Sequence, residues 1–127
     1  MFNAIHHVAV ICSDYPTSKH FYTEILGLQV IAENYREVRN SYKLDLALPD
    51  GTQIELFSFP EAPRRPSFPE AQGLRHLAFQ VDSVQNVKAY LESQNVEVEP
   101  IRIDEFTGKM FTFFQDPDGL PLELYQA

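Results

Sequence analysis

Two histidine–glutamate pairs recur at nearly the same spacing in this chain of 127 residues. His7 begins the run HVAV and His76 begins the run HLAF, an offset of 69 positions (76 − 7). Glu55 and Glu123 lie in two copies of a Pro-Asp-Gly motif, PDGTQIELF and PDGLPLELY, and differ by 68 positions (123 − 55). Imidazole and carboxylate together suit Zn, Ni, Co, Mn or Fe(II). The repeat therefore predicts one divalent metal ion bound by all four side chains.

The surroundings of the two glutamates indicate why a cation would be needed. A strand alternates its faces with period 2, so Glu55 points away from Ile54 and Leu56, its apolar neighbours. Glu123 stands in the same way within the second copy. A carboxylate on the inner face of a sheet is costly unless its charge is compensated. An octahedral ion with four protein ligands would keep positions open for substrate and water, which predicts a catalytic site.

The other candidate side chains have ordinary interpretations. Any one strand histidine or glutamate alone would more often be structural than functional, so the repetition carries the metal hypothesis. His6 and His20 have no counterpart in the other copy, and His6 is expected to point away from His7. Cys12 is expected to be a buried strand residue.

Strand–helix–strand–strand–strand is the predicted element order, and it occurs twice. We predict one domain, 1–127, with module 1 at 1–60, a proline-rich linker at 60–73 and module 2 at 74–127. Predicted strands are 5–12, 28–32, 42–48 and 52–59, then 74–81, 96–103, 110–115 and 121–125, with a loop at 33–40. One helix follows Ser13 or Asp14 and stops at Gly27, and the other follows Asp82 or Ser83 and stops near Asn95.

The charge and the cysteine content of the chain limit its possible partners and location. The formal net charge is −8, which argues against nucleic acid and against an anionic membrane surface. The sequence shows neither a transmembrane stretch nor a basic-then-apolar leader. With a single cysteine no internal disulfide can form, so we expect a cytoplasmic protein that binds a small molecule.

Four segments together resemble the vicinal oxygen chelate superfamily, which includes glyoxalase I, bleomycin-resistance proteins, fosfomycin-resistance enzymes, methylmalonyl-CoA epimerase and extradiol dioxygenases. The segments are HHVAV (6–10), FYTEILGL (21–28), RHLAF (75–79) and DPDGLPLELY (116–125). The resemblance covers essentially the whole chain. It implies an α+β fold of two paired βαβββ modules that form an eight-stranded, cup-shaped mixed sheet around a divalent metal.

The ligand order His7, Glu55, His76, Glu123 resembles that of glyoxalase I. This resemblance implies a metal-dependent lyase or isomerase acting on a small oxygenated substrate, with Glu123, or alternatively Glu55, moving a proton. The alternatives are an Fe(II) extradiol-type dioxygenase and a binding protein similar to the bleomycin-resistance proteins. A fourth ligand, Glu55, disfavours the dioxygenase, and the presence of all four ligands disfavours the binding protein.

Substrate recognition differs from that implied by glyoxalase I. The positions that hold glutathione in that enzyme correspond to Ile11 and Phe59, which cannot bind a carboxylate or an amide, so glutathione use is doubtful. The stretch TGK…FTFFQDPDGLPLELY also resembles a group of little-characterised glyoxalase-like proteins. Candidate substrate contacts are the polar residues just before the seventh predicted strand: Arg102, Asp104, Thr107 and Lys109. We expect a homodimer, with the metal site within one chain or shared by two.

Overall fold

The computed structural model describes residues 1–127 and contains two compact units, 1–64 and 65–127. The division falls within the predicted linker. Each unit holds one four-stranded mixed sheet and one main helix, in the order βαβββ. The predicted α+β class and its two modules are confirmed.

The first unit runs from strand β1 to strand β4. Its elements are β1 (His7–Cys12), α1 (Tyr15–His20), a π-helical turn (Phe21–Ile25), β2 (Gln29–Arg36), a 3-10 turn (Glu37–Arg39), β3 (Ser41–Ala47) and β4 (Gln53–Ser58). The sheet order is β1-β4-β3-β2, and β1 and β4 are parallel. The Asp14 carboxylate caps α1 by accepting from the Thr17 N–H, as predicted for this position.

The second unit repeats this plan. Its elements are β5 (Leu77–Val81), α2 (Val84–Ser93), β6 (Arg102–Ile103), β7 (Met110–Gln115) and β8 (Pro121–Gln126), in the sheet order β5-β8-β7-β6. The Ser83 hydroxyl caps α2 by accepting from the Asn86 N–H at 3.1 Å. Asn95 takes the left-handed conformation, with φ 63°, just after the helix.

Each sheet has one face whose side chains are buried in the core, and an opposite face that carries the alternate side chains of the same strands. The buried faces carry the aliphatic side chains of the core: Val10, Leu44, Leu46, Ile54 and Leu56 in the first unit, and Phe114, Leu122 and Leu124 in the second. Cys12 is also buried, as predicted. We call the opposite faces the open faces. They carry His7 and Glu55 in the first sheet, and Glu123, Phe113 and Arg102 in the second.

Two predicted elements differ from the structure. The polar segment 33–40 was expected to be a loop, but β2 continues to Arg36 and one 3-10 turn follows. It pairs with β3 at the edge of the sheet, where exposed polar side chains are tolerated. The strand predicted at 96–103 is reduced to Arg102–Ile103 and a single bridge from Val98 to Phe114. Pro100 lies between them and has no N–H to donate to a ladder.

No helix of the chain combines the length and the apolar character that crossing a bilayer requires.

Candidate functional site

The first histidine–glutamate pair lies on the open face of the first sheet. Since β1 and β4 are parallel and pair Ala9 with Glu55, the side chain of His7, two residues earlier on the same face, can reach this carboxylate. His7 Nε2 and Glu55 Oε2 are 3.5 Å apart. The Glu55 side chain is 14% exposed and that of His7 41%. The predicted convergence of first and last strand is therefore present in this unit.

His6 lies beside His7, although it was expected to point away. The two rings meet edge to face with centroids 5.2 Å apart, and their Nδ1 atoms are 3.0 Å apart. A neutral His7 that donates from Nδ1 keeps a lone pair on Nε2, the nitrogen that faces Glu55. The alternation rule failed here because His6 precedes the first residue of β1.

Lys43 is a cation that the sequence interpretation missed. Its Nζ lies 2.7 Å from Asp45 Oδ1 and 3.8 Å from Glu55 Oε2. Asp45 pairs with Glu55 across β3 and β4, so all three side chains share the open face. The Glu55 charge thus already has one cationic neighbour within the protein. The alternation of the strand Lys-Leu-Asp-Leu-Ala would have indicated this position.

The second pair lies on the open face of the second sheet. β5 and β8 are parallel and pair Ala78 with Glu123, so His76 is placed as His7 is in the first unit. His76 Nε2 and Glu123 Oε1 are 4.0 Å apart, and the Glu123 side chain is 13% exposed. Burial raises the pKa of Glu123, against the lowering effect of the charges of His76, Arg102 and Arg75.

Arg75 holds the outer side of the His76 ring. Its Nη1 lies 3.1 Å from His76 Nδ1. A guanidinium can only donate, so His76 Nδ1 accepts, and a neutral His76 then carries its proton on Nε2. The rings of Phe113 and His76 meet edge to face, with centroids 5.0 Å apart. A ligand at Nε2 would require the Arg75 hydrogen bond to open.

The four predicted substrate contacts lie in different surroundings. Arg102 lies over the rings of Phe111 and Phe113, 4.9 Å and 5.6 Å from their centroids. Asp104 and Thr107 both contact the Tyr125 hydroxyl, which donates to Asp104 Oδ2 at 2.9 Å and lies 2.6 Å from Thr107 Oγ1.

The backbone N–H of Phe106, and next the Tyr125 hydroxyl, lower the pKa of Asp104. Lys109 takes part through its backbone, whose carbonyl accepts from the Asp104 N–H at 2.8 Å. Tyr125 was missed, although it stands two residues after Glu123 on the same strand face and ends the repeated motif.

Two cavities border this face of the second sheet. One, of about 380 Å³, is lined by Glu123, Tyr125, Asp104, Phe106 and Phe111 among others. The other, of about 260 Å³, is lined by Arg65, Arg75, Arg102 and Phe113 among others. The candidate base Glu123 thus borders an acidic and aromatic cavity, while the arginines border a second cavity.

The imidazole nitrogens and carboxylate oxygens of the two pairs are suitable metal ligands, but the structure brings them together only two at a time. No three His, Cys, Asp or Glu side chains form a group that could hold a metal ion. Two ligands about 2.1 Å from one ion lie about 3.0 Å apart at a right angle and about 3.4 Å apart at a tetrahedral angle. The 3.5 Å separation of His7 and Glu55 matches the tetrahedral value, and the 4.0 Å of His76 and Glu123 is wider. Each unit therefore brings one imidazole nitrogen and one carboxylate oxygen close together.

Comparison with known proteins identifies the family. The family model described as Glyoxalase/Bleomycin resistance protein/Dioxygenase superfamily matches residues 4–124. The chain belongs to this superfamily. The uncharacterized protein YaeR of Escherichia coli (strain K12) is 60% identical over 122 residues, which cover 96% of this chain and 95% of YaeR.

A solved structure and a more distant relative extend the comparison. The glyoxalase family protein from Enterococcus faecalis is 53% identical, with a TM-score of 0.91 and 98% of each chain covered. A 2-epi-5-epi-valiolone epimerase from Actinomyces sp is 29% identical over 142 residues, which cover 95% of this chain and 78% of the epimerase. These matches confirm the predicted superfamily and fold.

Proposed function

We propose that this protein is a divalent-metal-dependent lyase or isomerase that moves a proton on a small oxygenated substrate. In this proposal His7, Glu55, His76 and Glu123 bind one ion, which is Ni, Zn, Co, Mn or Fe. Glu123 is the proton-transferring carboxylate, and Glu55 is the alternative. Glutathione is not expected to be the thiol partner, because Ile11, on the open face, is apolar and more than half exposed.

One observation carries this proposal: the same histidine–glutamate pair recurs on the open face of both sheets. In each pair Nε2 and a carboxylate oxygen face one another at 3.5 Å or 4.0 Å, which is too far for a good hydrogen bond. The 3.5 Å pair could bind one ion as it stands, and the 4.0 Å pair would have to close slightly. Two donors are too few for a stable site, so we propose that both pairs contribute to one ion. The pairs could come from one chain or from two chains of a homodimer.

Glu123 has the surroundings of a general base. Its side chain is largely buried and its pKa is raised, which makes its ionised form a better proton acceptor. The carboxylate would take a proton from a carbon next to the chelated oxygens and return it to the neighbouring carbon. When bound, the metal would polarise those two oxygens and favour loss of the proton. The Tyr125 hydroxyl, in the same cavity, donates its proton to Asp104 and so holds that carboxylate in place.

Hydrogen exchange with solvent tests the proposal without knowledge of the complete reaction. Metal-loaded protein is incubated in D₂O with 2-hydroxy ketones and with methylglyoxal adducts of several thiols, and deuterium at the carbon is followed by NMR. We expect metal-dependent incorporation that is lost in Glu123→Gln. The matched control is His20→Ala, since His20 is exposed and has no counterpart in the second unit. No incorporation with any compound at full metal occupancy would count against proton transfer.

A second candidate is a small-molecule binding protein that needs no metal. It is favoured by the cation beside Glu55, because Lys43 lies 3.8 Å from that carboxylate and partly compensates its charge. Ligand binding that is unchanged after metal is removed by dialysis would support this candidate and overturn the enzyme. Oxygen uptake with catechols after anaerobic iron loading would instead support a dioxygenase.

The source of the ligands can be decided by mixing variants. We expect His7→Ala and His76→Ala each to bind metal more weakly than the wild type when alone. If the site is shared by two chains, a mixture recovers part of the binding, because some dimers then contain one complete set. If one chain supplies all four ligands, the mixture recovers none.

A further inference from the structure

A cavity bordered by arginines lies beside the candidate site. It has a volume of about 260 Å³, and Arg65, Arg75 and Arg102 line it together with two carboxylates, Glu70 and Glu99. The arginines are three of only ten lysine and arginine residues in a chain of net charge −8. With three guanidinium groups against two carboxylates, the lining has a positive balance within an acidic chain, which favours an anionic ligand.

Arg102 is held in place while its polar edge stays available. Its guanidinium lies over Phe111 and Phe113, which position it without using its N–H groups. Its one polar partner is Glu99, at 3.5 Å, and both side chains are more than half exposed. An exposed ion pair of this kind contributes about 0–1 kcal/mol, so a ligand anion can displace it.

The other two arginines have different tasks. Arg65 is occupied: it donates to Ser67 Oγ at 2.8 Å and to the backbone carbonyls of Leu74 and Arg75. Arg75 has one hydrogen bond, to His76 Nδ1, and its remaining N–H groups have no partner in the chain. Arg75 and Arg102 are thus the guanidinium groups that can bind a ligand.

The arginine cavity and the proposed base belong to one sheet face. Phe113 pairs directly with Glu123 across β7 and β8, and the Arg102 guanidinium lies over that ring. Phe113 lines the arginine cavity, while Glu123 lines the neighbouring one. A small molecule whose reacting carbon meets Glu123 can therefore place a second group beside Arg102.

We infer that the substrate carries an anionic group, a carboxylate or a phosphate, that Arg102 and Arg75 bind in this cavity. This inference rests on the proposed function, because it assigns the reacting end of the same molecule to Glu123. The planar fork of a guanidinium can form two parallel hydrogen bonds with either anion, so the test includes both a carboxylate and a phosphate.

Calorimetric titration of the metal-free protein tests the inference. The probes are glycerol 3-phosphate, glycerate and glycerol, which share a carbon frame and differ in charge. We expect one of the two anions to bind at least about tenfold more tightly than glycerol, and the preferred anion identifies the group. Arg102→Gln and Arg75→Gln should each weaken that binding by roughly 10- to 100-fold, the usual effect of losing a charged hydrogen bond.

Matched variants separate recognition from folding. Arg39 lies over Phe59 at 4.9 Å in a comparable stack but lines neither cavity, so Arg39→Gln should bind the anions as the wild type does. Arg102→Lys keeps the charge but not the fork, and should show an intermediate loss. Thermal unfolding is measured for every variant, and affinities are compared only among variants that are as stable as the wild type.

Three outcomes would overturn the inference: equal affinity for glycerol and the anions, no detectable anion binding, or equal loss in Arg39→Gln and Arg102→Gln. Because these titrations use no metal, they remain interpretable if the metal proposal fails. Conversely, retained metal binding with no anion preference would remove only the anion site.

Discussion

The most demanding prediction concerns how metal affinity depends on pH. In the proposed site two imidazoles face two carboxylates, with donor atoms 3.5 Å and 4.0 Å apart. A protonated ring cannot bind a cation, so each imidazole ligand must release its proton when the metal binds. In the acidic range where both rings are protonated in the metal-free protein, each ring lowers the apparent affinity about tenfold per pH unit, so two rings lower it about 100-fold per unit. That is about 2.7 kcal/mol of binding free energy per pH unit.

The assay is competition with a chromophoric chelator that is calibrated at each pH. Replacement of either metal-binding histidine should weaken binding and reduce the remaining pH effect to about tenfold per pH unit, because one ring is left. Burial raises the pKa of Glu123, so protonation of this carboxylate should steepen the loss at the acidic end. His20→Ala should keep the full pH dependence. The reasoning is wrong if wild-type affinity changes less than about tenfold per pH unit in that range, or if His7→Ala titrates as the wild type does.

Four further predictions follow from single contacts. Glu123→Gln should slow deuterium incorporation by roughly 10²- to 10⁴-fold with metal still bound, measured by NMR; an unchanged rate would exclude it as the base. His6→Ala should weaken metal binding by roughly 10- to 100-fold, since the ring orients His7 through Nδ1; unchanged affinity would show that this contact has no role. Leu122→Ala, at a fully buried position, should lower the free energy of unfolding by about 2–5 kcal/mol in urea titrations. The Lys19 ammonium, at 2.8 Å, lowers the pKa of Glu33 below its ordinary value of 4.5. Glu33→Gln should therefore be less stable than the wild type near pH 7 and equally stable well below pH 4.5, where Glu33 is protonated. A loss of stability that persists in acid would refute this.

Much of the framework could be predicted because it depends on local rules. Gly51 and Gly119, at the two Pro-Asp-Gly turns, have φ 89° and 82°, the conformation for which glycine is needed. The alternation around Glu55 and Glu123 is also correct, with buried aliphatic side chains on one face and the carboxylate on the other. Repetition of the whole pattern made the pairing of first and last strand predictable in each unit.

The missed features depend on neighbours that are distant in sequence. Lys43 approaches Glu55 only because β3 lies next to β4 in the sheet. Tyr125 meets Asp104 only after the loop beyond β6 folds back. The error at β2 has the same origin, because pairing with β3 determines its length and its own polar residues do not. Composition alone cannot report such contacts.

The two copies of the module surround their glutamates differently. In the first unit an ammonium, Lys43, accompanies the glutamate, while in the second the glutamate is flanked by the aromatic ring of Phe113 and borders an open cavity. In the proposed reaction, unequal surroundings would make the two carboxylates unequal as bases, so one is expected to anchor the ion and the other to carry the proton. A substrate with two different ends would then bind in one orientation.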